Sequence, residues 1–148
     1  MSMALLSIEK TWARQFARFC LVGLVNTGVG VGTIFAAKAI AAWNDLAANI
    51  LGYALGLTVS FVLNRGWTFS DHGDIRQAAS RFLLAFAVAY PLNLLTVFGL
   101  RDLAQVDSYL AQAAGVVPYT LCFFLISRHF VFLSPRTPRD VPQGETRL

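Results

Sequence analysis

The sequence predicts an all-α membrane protein with four transmembrane helices, arranged as two hairpins that repeat in parallel, and an N-terminal interfacial amphipathic helix. The first observation is composition: 56% of the 148 residues are hydrophobic and 14% are charged, whereas about a quarter of a typical soluble domain is charged. The second is an internal repeat without a gap, in which residues of the first half recur 63 positions later. Such a repeat constrains fold and symmetry together. The matching pairs are Arg18 and Arg81, Lys38 and Arg101, Gly52 and Gly115, Arg65 and Arg128, and Phe69 and Phe132.

Residues 1–18 are predicted to form an amphipathic helix in the headgroup layer. Two sets of side chains recur there at helical spacing on opposite faces, which is typical of a helix that lies at a membrane surface. The apolar set is Leu5, Ile8, Trp12 and Phe16, and the basic set is Lys10, Arg14 and Arg18.

Four stretches without a charged residue follow, and each is close to the ~20 residues that cross a ~30 Å hydrocarbon layer as a helix. They are 19–37, 46–64, 82–100 and 108–127. We therefore predict one transmembrane hairpin over 19–64, a cytoplasmic loop over 65–80 and a second hairpin over 81–127. The segment 128–148 is predicted to be a cytoplasmic tail, disordered from about residue 134 because it is rich in proline and poor in apolar residues.

The distribution of basic residues predicts the orientation. Of the 12 lysines and arginines, all but Lys38 and Arg101 lie before the first span, between the second and third spans or after the fourth span. The positive-inside rule puts that side, with both termini, in the cytoplasm. Since each repeat holds two spans, both copies enter from the same side, and the pseudo-twofold axis follows the membrane normal. The basic flank favours anionic lipids as partners, with no role for nucleic acid.

Small residues and helix breakers also recur within the spans. Gly52 and Gly56 in the second span, with Ala111 and Gly115 in the fourth, predict close approach of helix backbones in lipid. Gly28 aligns with Pro91, so a bend is expected at the same depth in both repeats. Cys20 and Cys122 are interpreted as small apolar packing residues, without a disulfide or a metal.

The clearest local motif is the exit of the second span, Asn64-Arg65-x-Trp67-x-Phe69, with its counterpart Ser127-Arg128-x-Phe130-x-Phe132. One interpretation is a snorkelling arginine within a belt of interface aromatics, Trp67 and Phe69. The alternative is a phosphate site, because a guanidinium pairs bidentately with phosphate and gathered arginines repel one another unless an anion lies among them. Four arginines fall at the cytoplasmic ends of the spans: Arg18, Arg65, Arg81 and Arg128. Asp71 and Asp74 in the following loop are the main competing partners.

Other polar residues leave two interpretations open. Lys38 and Arg101 at the outer face either snorkel or form a second anion-receiving position. Asn26, Asn64 and Asn93 either pack helices through interhelical hydrogen bonds or bind a sugar. No Asp or Glu lies within a span, and no paired carboxylates, activated nucleophile, metal-ligand spacing or glycine-rich phosphate loop occurs. The sequence therefore predicts a protein without enzymatic activity, cofactor or metal.

Three segments of the sequence together resemble the GtrA-like family, which consists of small four-span membrane proteins linked to bacterial surface polysaccharide assembly. They are 18–27, the exit 64–69 and the pair Arg81-Phe82. The resemblance covers roughly residues 16–133. In the family the second exit often echoes the first, whereas here Ser127 and Phe130 replace asparagine and tryptophan, which argues against equal roles for the two halves.

The resemblance implies translocation of a polyprenyl-phosphate-linked monosaccharide across the bacterial cytoplasmic (inner) membrane. Because four short helices enclose little volume, we expect a homo-oligomer that supplies a path at a subunit interface, unless a lateral groove does so. Two other functions compete with this one. In one, the protein is a scaffold that anchors a membrane glycosyltransferase; in the other, it exports cationic drugs. The second is disfavoured, because no intramembrane carboxylate is present and the basic end would repel a cation.

Overall fold

A computed structural model of the chain describes the backbone of residues 3–132 and the side chains of residues 10–132. Four long helices make up this part: α1 (Met3–Ala41), α2 (Asp45–Leu63), α3 (Ile75–Phe98) and α4 (Ser108–Ile126). Each is long and apolar enough to cross a membrane. No strand occurs between residues 3 and 132, so the predicted all-α membrane fold is confirmed. The predicted disordered tail lies outside the described residues.

The N-terminal segment is helical and continues without a break into the first span. At 39 residues, α1 is about 58 Å long at 1.5 Å per residue, roughly twice the hydrocarbon thickness. Trp12 and Phe16, from the predicted apolar face, contact Phe124 of α4 with ring centroids 6.2 and 5.2 Å apart. The segment is therefore part of the bundle, and its position in the headgroup layer stays a prediction.

The two halves repeat in backbone detail at the turns that join the helices of each hairpin. Ala42 and Gln105, which are equivalent positions, both adopt left-handed backbone conformations with φ of 52° and 54°. Asn44 and Asp107, also equivalent, each cap the following helix, where the side-chain oxygen of Asn44 accepts a hydrogen bond from the N–H of Ala47 at 2.8 Å. Such caps satisfy helix N–H groups that have no intrahelical partner.

The helices at the opposite end of each hairpin finish in matching π-helical turns, Asn64–Thr68 and Ser127–Val131. The N–H of Phe69 donates to the carbonyl oxygen of Asn64 at 2.9 Å, and that of Phe132 to Ser127 at 3.0 Å. Arg65 and Arg128 are the second residues of these two turns, and π-helical turns are frequent at functional sites. A third π-helical turn, Gly99–Leu103, extends α3.

Within each hairpin the helices pack closely through small residues, as predicted. A Cβ built on Gly52 would lie 2.7 Å from the carbonyl oxygen of Gly30, and one on Gly115 would lie 2.9 Å from Nδ2 of Asn93. Any side chain at Gly52 or Gly115 would therefore push α1 from α2, or α3 from α4. Pro91 lies inside α3, which continues to Phe98.

The two hairpins contact each other mainly at one end, through a cluster of aromatic rings. Helix α1 packs chiefly on α2, and α3 chiefly on α4. Across the hairpins, α1 contacts α4, and the ring of Phe61 in α2 contacts that of Phe82 in α3 with centroids 5.4 Å apart. We call this the arginine end, because the four candidate arginines also lie there; the predicted orientation makes it the cytoplasmic end. Its buried rings are Phe19, Phe82, Phe123, Phe124 and Phe132. The hairpins are thus joined at the arginine end.

Candidate functional site

A cavity of about 810 Å³ lies between the two hairpins and is lined by all four helices. It reaches from Phe19 and Asn64 at the arginine end to Asn93 in the last third of α3. No charged side chain is among its lining residues between 10 and 132. The polar side chains that line it are Asn26, Thr27, Tyr53, Ser60, Asn64, Tyr90, Asn93, Tyr119 and Thr120. A single chain therefore forms a mostly apolar cavity that carries uncharged polar side chains, without a contribution from a second subunit.

Two arginines hold equivalent positions in the two halves. Nη1 of Arg18 donates to the carbonyl oxygen of Trp67 at 2.9 Å, and the guanidinium carbon lies 5.0 Å from the centroid of that ring. Nη1 of Arg81 donates to the carbonyl oxygen of Phe130 at 3.4 Å, and its guanidinium carbon lies 5.2 Å from that ring. Each arginine thus ties the first helix of its hairpin to the exit of the second, by a hydrogen bond and a cation–π contact.

Arg65 is compensated by a carboxylate. Its Nε lies 3.2 Å from Oδ2 of Asp71, with 17% of the Arg65 side chain and 3% of the Asp71 side chain exposed. The guanidinium also donates to the backbone carbonyl oxygens of Asp71 and Gly73. Asp74 caps α3 by accepting from the N–H of Gln77 at 2.8 Å. Of the two carboxylates in the loop, Asp71 is therefore the one that forms an ion pair with Arg65.

Arg128, the counterpart of Arg65, has a different environment. Its guanidinium carbon lies 3.9 Å from the ring centroid of Trp12 in α1. Its Nη1 is buried and has no hydrogen-bond partner among the described residues, and the same holds for the hydroxyl of Ser127 beside it. No carboxylate between residues 10 and 132 pairs with Arg128, Arg18 or Arg81. Among the four candidate arginines, Arg128 is thus the one without a hydrogen bond or ion pair to a described residue.

Asn64 connects the arginine end to the cavity. The residue is 1% exposed, lines the cavity and donates from Nδ2 to the hydroxyl of Ser60 at 3.3 Å. Its Oδ1 is buried without a partner in the described part of the chain. The ring of Trp67 is exposed and contacts the guanidinium of Arg18, whereas the ring of Phe69 is partly buried and stacks on that of Phe132. The two predicted interface aromatics therefore have different environments.

Comparison with known proteins adds a family to this geometry. A family model described as "GtrA/DPMS, transmembrane domain" matches residues 18–132, which is most of the chain. The chain belongs to this family. It is also 39% identical, over 121 residues that cover 80% of each chain, to the uncharacterized membrane protein YngA of Bacillus subtilis (strain 168). The resemblance found in the sequence is confirmed.

In this GtrA/DPMS family member, the two cations at the far end of the bundle are both paired with carboxylates. Nζ of Lys38 lies 2.5 Å from Oδ1 of Asp45, and Nε of Arg101 lies 2.7 Å from Oδ1 of Asp102. Both pairs are about half exposed or more, and exposed pairs of this kind contribute only ~0–1 kcal/mol. Lys38 and Arg101 each have a carboxylate partner within the protein. The candidate site therefore consists of the cavity and the arginine end.

Sequence reasoning missed two features of the site in this family member. The sequence places Trp12 on the apolar face of the N-terminal helix but does not indicate that its ring lies against the guanidinium of Arg128. Tyr53, Tyr90 and Tyr119 were not singled out, although all three line the cavity. Their positions within the spans could have indicated this role. Tyrosines that serve as membrane anchors concentrate at the interfaces rather than in the middle of a span.

Proposed function

We propose that this protein moves a polyprenyl-phosphate-linked monosaccharide across the bacterial cytoplasmic membrane, for the synthesis of cell-surface polysaccharide. Membership of the GtrA/DPMS family suggests a role in lipid-linked sugar translocation. The observation that carries the specific proposal is the cavity between the hairpins, which is lined by all four helices and extends to Asn64, the neighbour of Arg65, at the arginine end. A lipid-linked sugar phosphate needs both features, a volume with uncharged polar groups for the sugar and cations near one end of it for the phosphate.

Each part of such a lipid has a suitable environment. The sugar enters the cavity, where asparagine, serine, threonine and tyrosine groups replace its hydration. The phosphate is first bound at the arginine end, by Arg128 and Arg65 assisted by Arg18 and Arg81, and then crosses the membrane together with the sugar. The prenyl chain remains in the bilayer, because the two hairpins contact each other mainly at the arginine end and leave a lateral opening between them. The protein then has no catalytic step to perform.

The sharpest test fills the cavity without disturbing helix packing. Gly23 lines the cavity, and a Cβ built there meets no atom within 4 Å. Gly32 on the same helix is equally open but does not line the cavity. Gly23→Leu is expected to reduce flipping of a labelled polyprenyl-phosphate sugar in proteoliposomes at least about tenfold, a change of 1.4 kcal/mol in barrier. Gly32→Leu is the matched control and keeps the rate. Equal rates in both variants would contradict transport through this cavity.

A scaffold that anchors a membrane glycosyltransferase is the second candidate, favoured by exposed basic residues at the arginine end. Lys10, Arg14 and Arg76 are all exposed there and are not used by the cavity. In that case the purified protein alone would not move the lipid, whereas charge reversal at Arg14 and Arg76 would release a bound enzyme. The proteoliposome assay separates the two functions, because it contains no glycosyltransferase. Association into a homo-oligomer, and contact with anionic lipids, stay part of the proposal under either function.

A further inference from the structure

A second, smaller cavity of about 280 Å³ lies between α1 and α4, outside the cavity described above. We call it the seam groove; its lining consists of apolar side chains, namely Trp12, Ala13, Phe16, Leu121, Phe124 and Leu125. It shares no lining residue with the larger cavity. Leu121 and Leu125 are 46% and 45% exposed, so the groove opens on the surface of the bundle that faces lipid.

Trp12 joins the seam groove to Arg128. Its ring lines the groove, and the ring centroid lies 3.9 Å from the guanidinium carbon of Arg128. Contacts with the rings of Phe124 and His129, at 6.2 and 5.3 Å between centroids, hold the indole in this position. Nη1 of Arg128 and the hydroxyl of Ser127 are buried and have no hydrogen-bond partner among the described residues. Two donors suited to an anion therefore adjoin an apolar groove.

This arrangement fits an anionic group that is attached directly to a hydrocarbon chain. In a bilayer every lipid chain is as apolar as the groove, so packing on its walls and pairing with Arg128 decide which lipid is retained. A polyprenyl phosphate carries its phosphate on the first isoprene unit, whereas a glycerophospholipid has a glycerol unit between its phosphate and its chains. Because Trp12 contacts the guanidinium itself, a chain that begins at the phosphate can lie on the ring while the phosphate pairs with the forked cation.

The equivalent seam, between α2 and α3, lacks this combination. The repeat offset of 63 residues puts Ile75, Arg76 and Ala79 where the first seam has Trp12, Ala13 and Phe16, so neither aromatic side chain of α1 has an aromatic counterpart in α3. The arginine of that seam, Arg65, already pairs with the carboxylate of Asp71. An aromatic groove wall and an arginine without a described ion-pair partner thus coincide at the α1–α4 seam and not at its equivalent.

We infer that the lipid carrier is loaded at the α1–α4 seam, with its phosphate on Arg128 and Ser127 and its first isoprene units in the seam groove. The inference rests on the proposed function and deepens it, because it gives the lipid one entry side in a bundle whose two halves repeat. It concerns the loading position in the cytoplasmic leaflet and not the path of the phosphate across the membrane.

Photo-cross-linking of the unaltered protein in phosphatidylcholine vesicles tests the position. The probe is a polyprenyl phosphate without a sugar, with a diazirine on the isoprene unit next to the phosphate. We expect labelling of residues 12–16 and 121–125 to exceed that of their equivalents, 75–79 and 58–62, at least about tenfold, as one charge-assisted contact at a single seam implies. Equal labelling of the two seams would overturn the inference. Loss of the label when phosphatidylglycerol is added at the same concentration would also overturn it, by showing a surface for anionic lipids in general.

A second arm fills the groove. Leu125→Trp is expected to lower both the labelling of the groove and the initial flipping rate of a polyprenyl-phosphate sugar severalfold. Val62→Trp is the matched control, because Val62 is the repeat equivalent of Leu125, is 58% exposed and lines neither cavity; both quantities should stay unchanged. Thermal unfolding in detergent checks the fold of each variant. A folded Leu125→Trp protein that is labelled and flips normally would overturn the assignment of the groove.

The two measurements also separate the inference from the proposed function. Labelling confined to the seam groove, in a protein that flips no lipid-linked sugar, would overturn the proposed function and leave the groove as a binding site for the lipid. Flipping with equal labelling of both seams would overturn the inference alone.

Discussion

Phe69 and Phe132, equivalent residues of the two repeats, stack directly on each other with ring centroids 5.0 Å apart and planes 21° apart. A residue that contacts its own repeat counterpart lies at the axis that relates the halves. The pseudo-twofold axis therefore passes between these two rings, at the arginine end, where the hairpins are joined. Beyond this junction the hairpins separate around the cavity.

This stacking predicts that Phe69 stabilises the junction between the hairpins. Phe69→Ala removes ring contacts with Phe132, Phe124 and Phe19 and is expected to lower the free energy of unfolding by about 2–4 kcal/mol, since Phe69 is half-buried and fully buried cases reach about 3–5. Phe35→Ala, at an exposed position on α1 without a ring contact to another described residue, is the control and should cost about 0.5 kcal/mol or less. Unfolding in mixed micelles measures both. Equal losses would contradict a specific role for the stack.

Arg128 is predicted to contribute more to phosphate binding than Arg65, because Asp71 already compensates Arg65. Charge-assisted contacts contribute on the order of 1.5–3 kcal/mol, so Arg128→Gln should weaken binding of a polyprenyl-phosphate sugar roughly ten- to a hundredfold. Arg65→Gln should weaken it less, and Arg128→Lys should recover part of the loss, since lysine keeps the charge without the fork. Normal binding in both Gln variants would mean that these arginines are belt anchors.

Asp71→Asn tests the ion pair from the other side. Removal of the carboxylate frees the guanidinium of Arg65, so phosphate binding should tighten severalfold at low salt and return toward the original value at high salt, because screening weakens the added attraction. The free energy of unfolding should fall by about 1–3 kcal/mol, since a buried charged contact is lost. Binding titrations at two ionic strengths measure the effect. If the affinity stays the same, Arg65 does not contact the phosphate.

Trp67→Ala is predicted to reduce flipping more than Phe130→Ala. The guanidinium carbon of Arg18 lies 5.0 Å from the ring centroid of Trp67, and that of Arg81 lies 5.2 Å from the centroid of Phe130. Tryptophan is the better cation–π partner. The shorter hydrogen bond, 2.9 Å against 3.4 Å, also belongs to the Trp67 side. Initial flipping rates in proteoliposomes provide the comparison. Equal losses would show that the two halves work as equivalents despite their different residues.

The predicted orientation is tested by cysteine labelling in intact cells. In a background with Cys20→Ser and Cys122→Ser, Thr137→Cys should remain unlabelled by a membrane-impermeant reagent. Gln105→Cys, at the turn between α3 and α4, should be labelled, because positive charge keeps the opposite face in the cytoplasm. Labelling of the Thr137→Cys variant would reverse the assigned topology.

Properties that depend on local sequence were predictable without a structure. Spans follow from hydropathy and length alone, which is why α2 (Asp45–Leu63) lies within about one residue of the predicted stretch 46–64. The glycine contacts at Gly52 and Gly115 were also expected, because close helix approach in lipid requires small residues. The repeat strengthened these predictions, because each feature occurs at the same offset in both halves.

The tertiary structure alone decided how the two hairpins meet. The sequence offered Asp71 and Asp74 as partners for the arginines but could not tell which carboxylate pairs with which arginine, nor that Arg128 lies on Trp12. Nor could it show a cavity lined by Asn26 and Asn93, residues that do not match in the repeat. Hydropathy and charge act on each segment separately, whereas the cavity and the arginine environments arise from packing between segments distant in sequence.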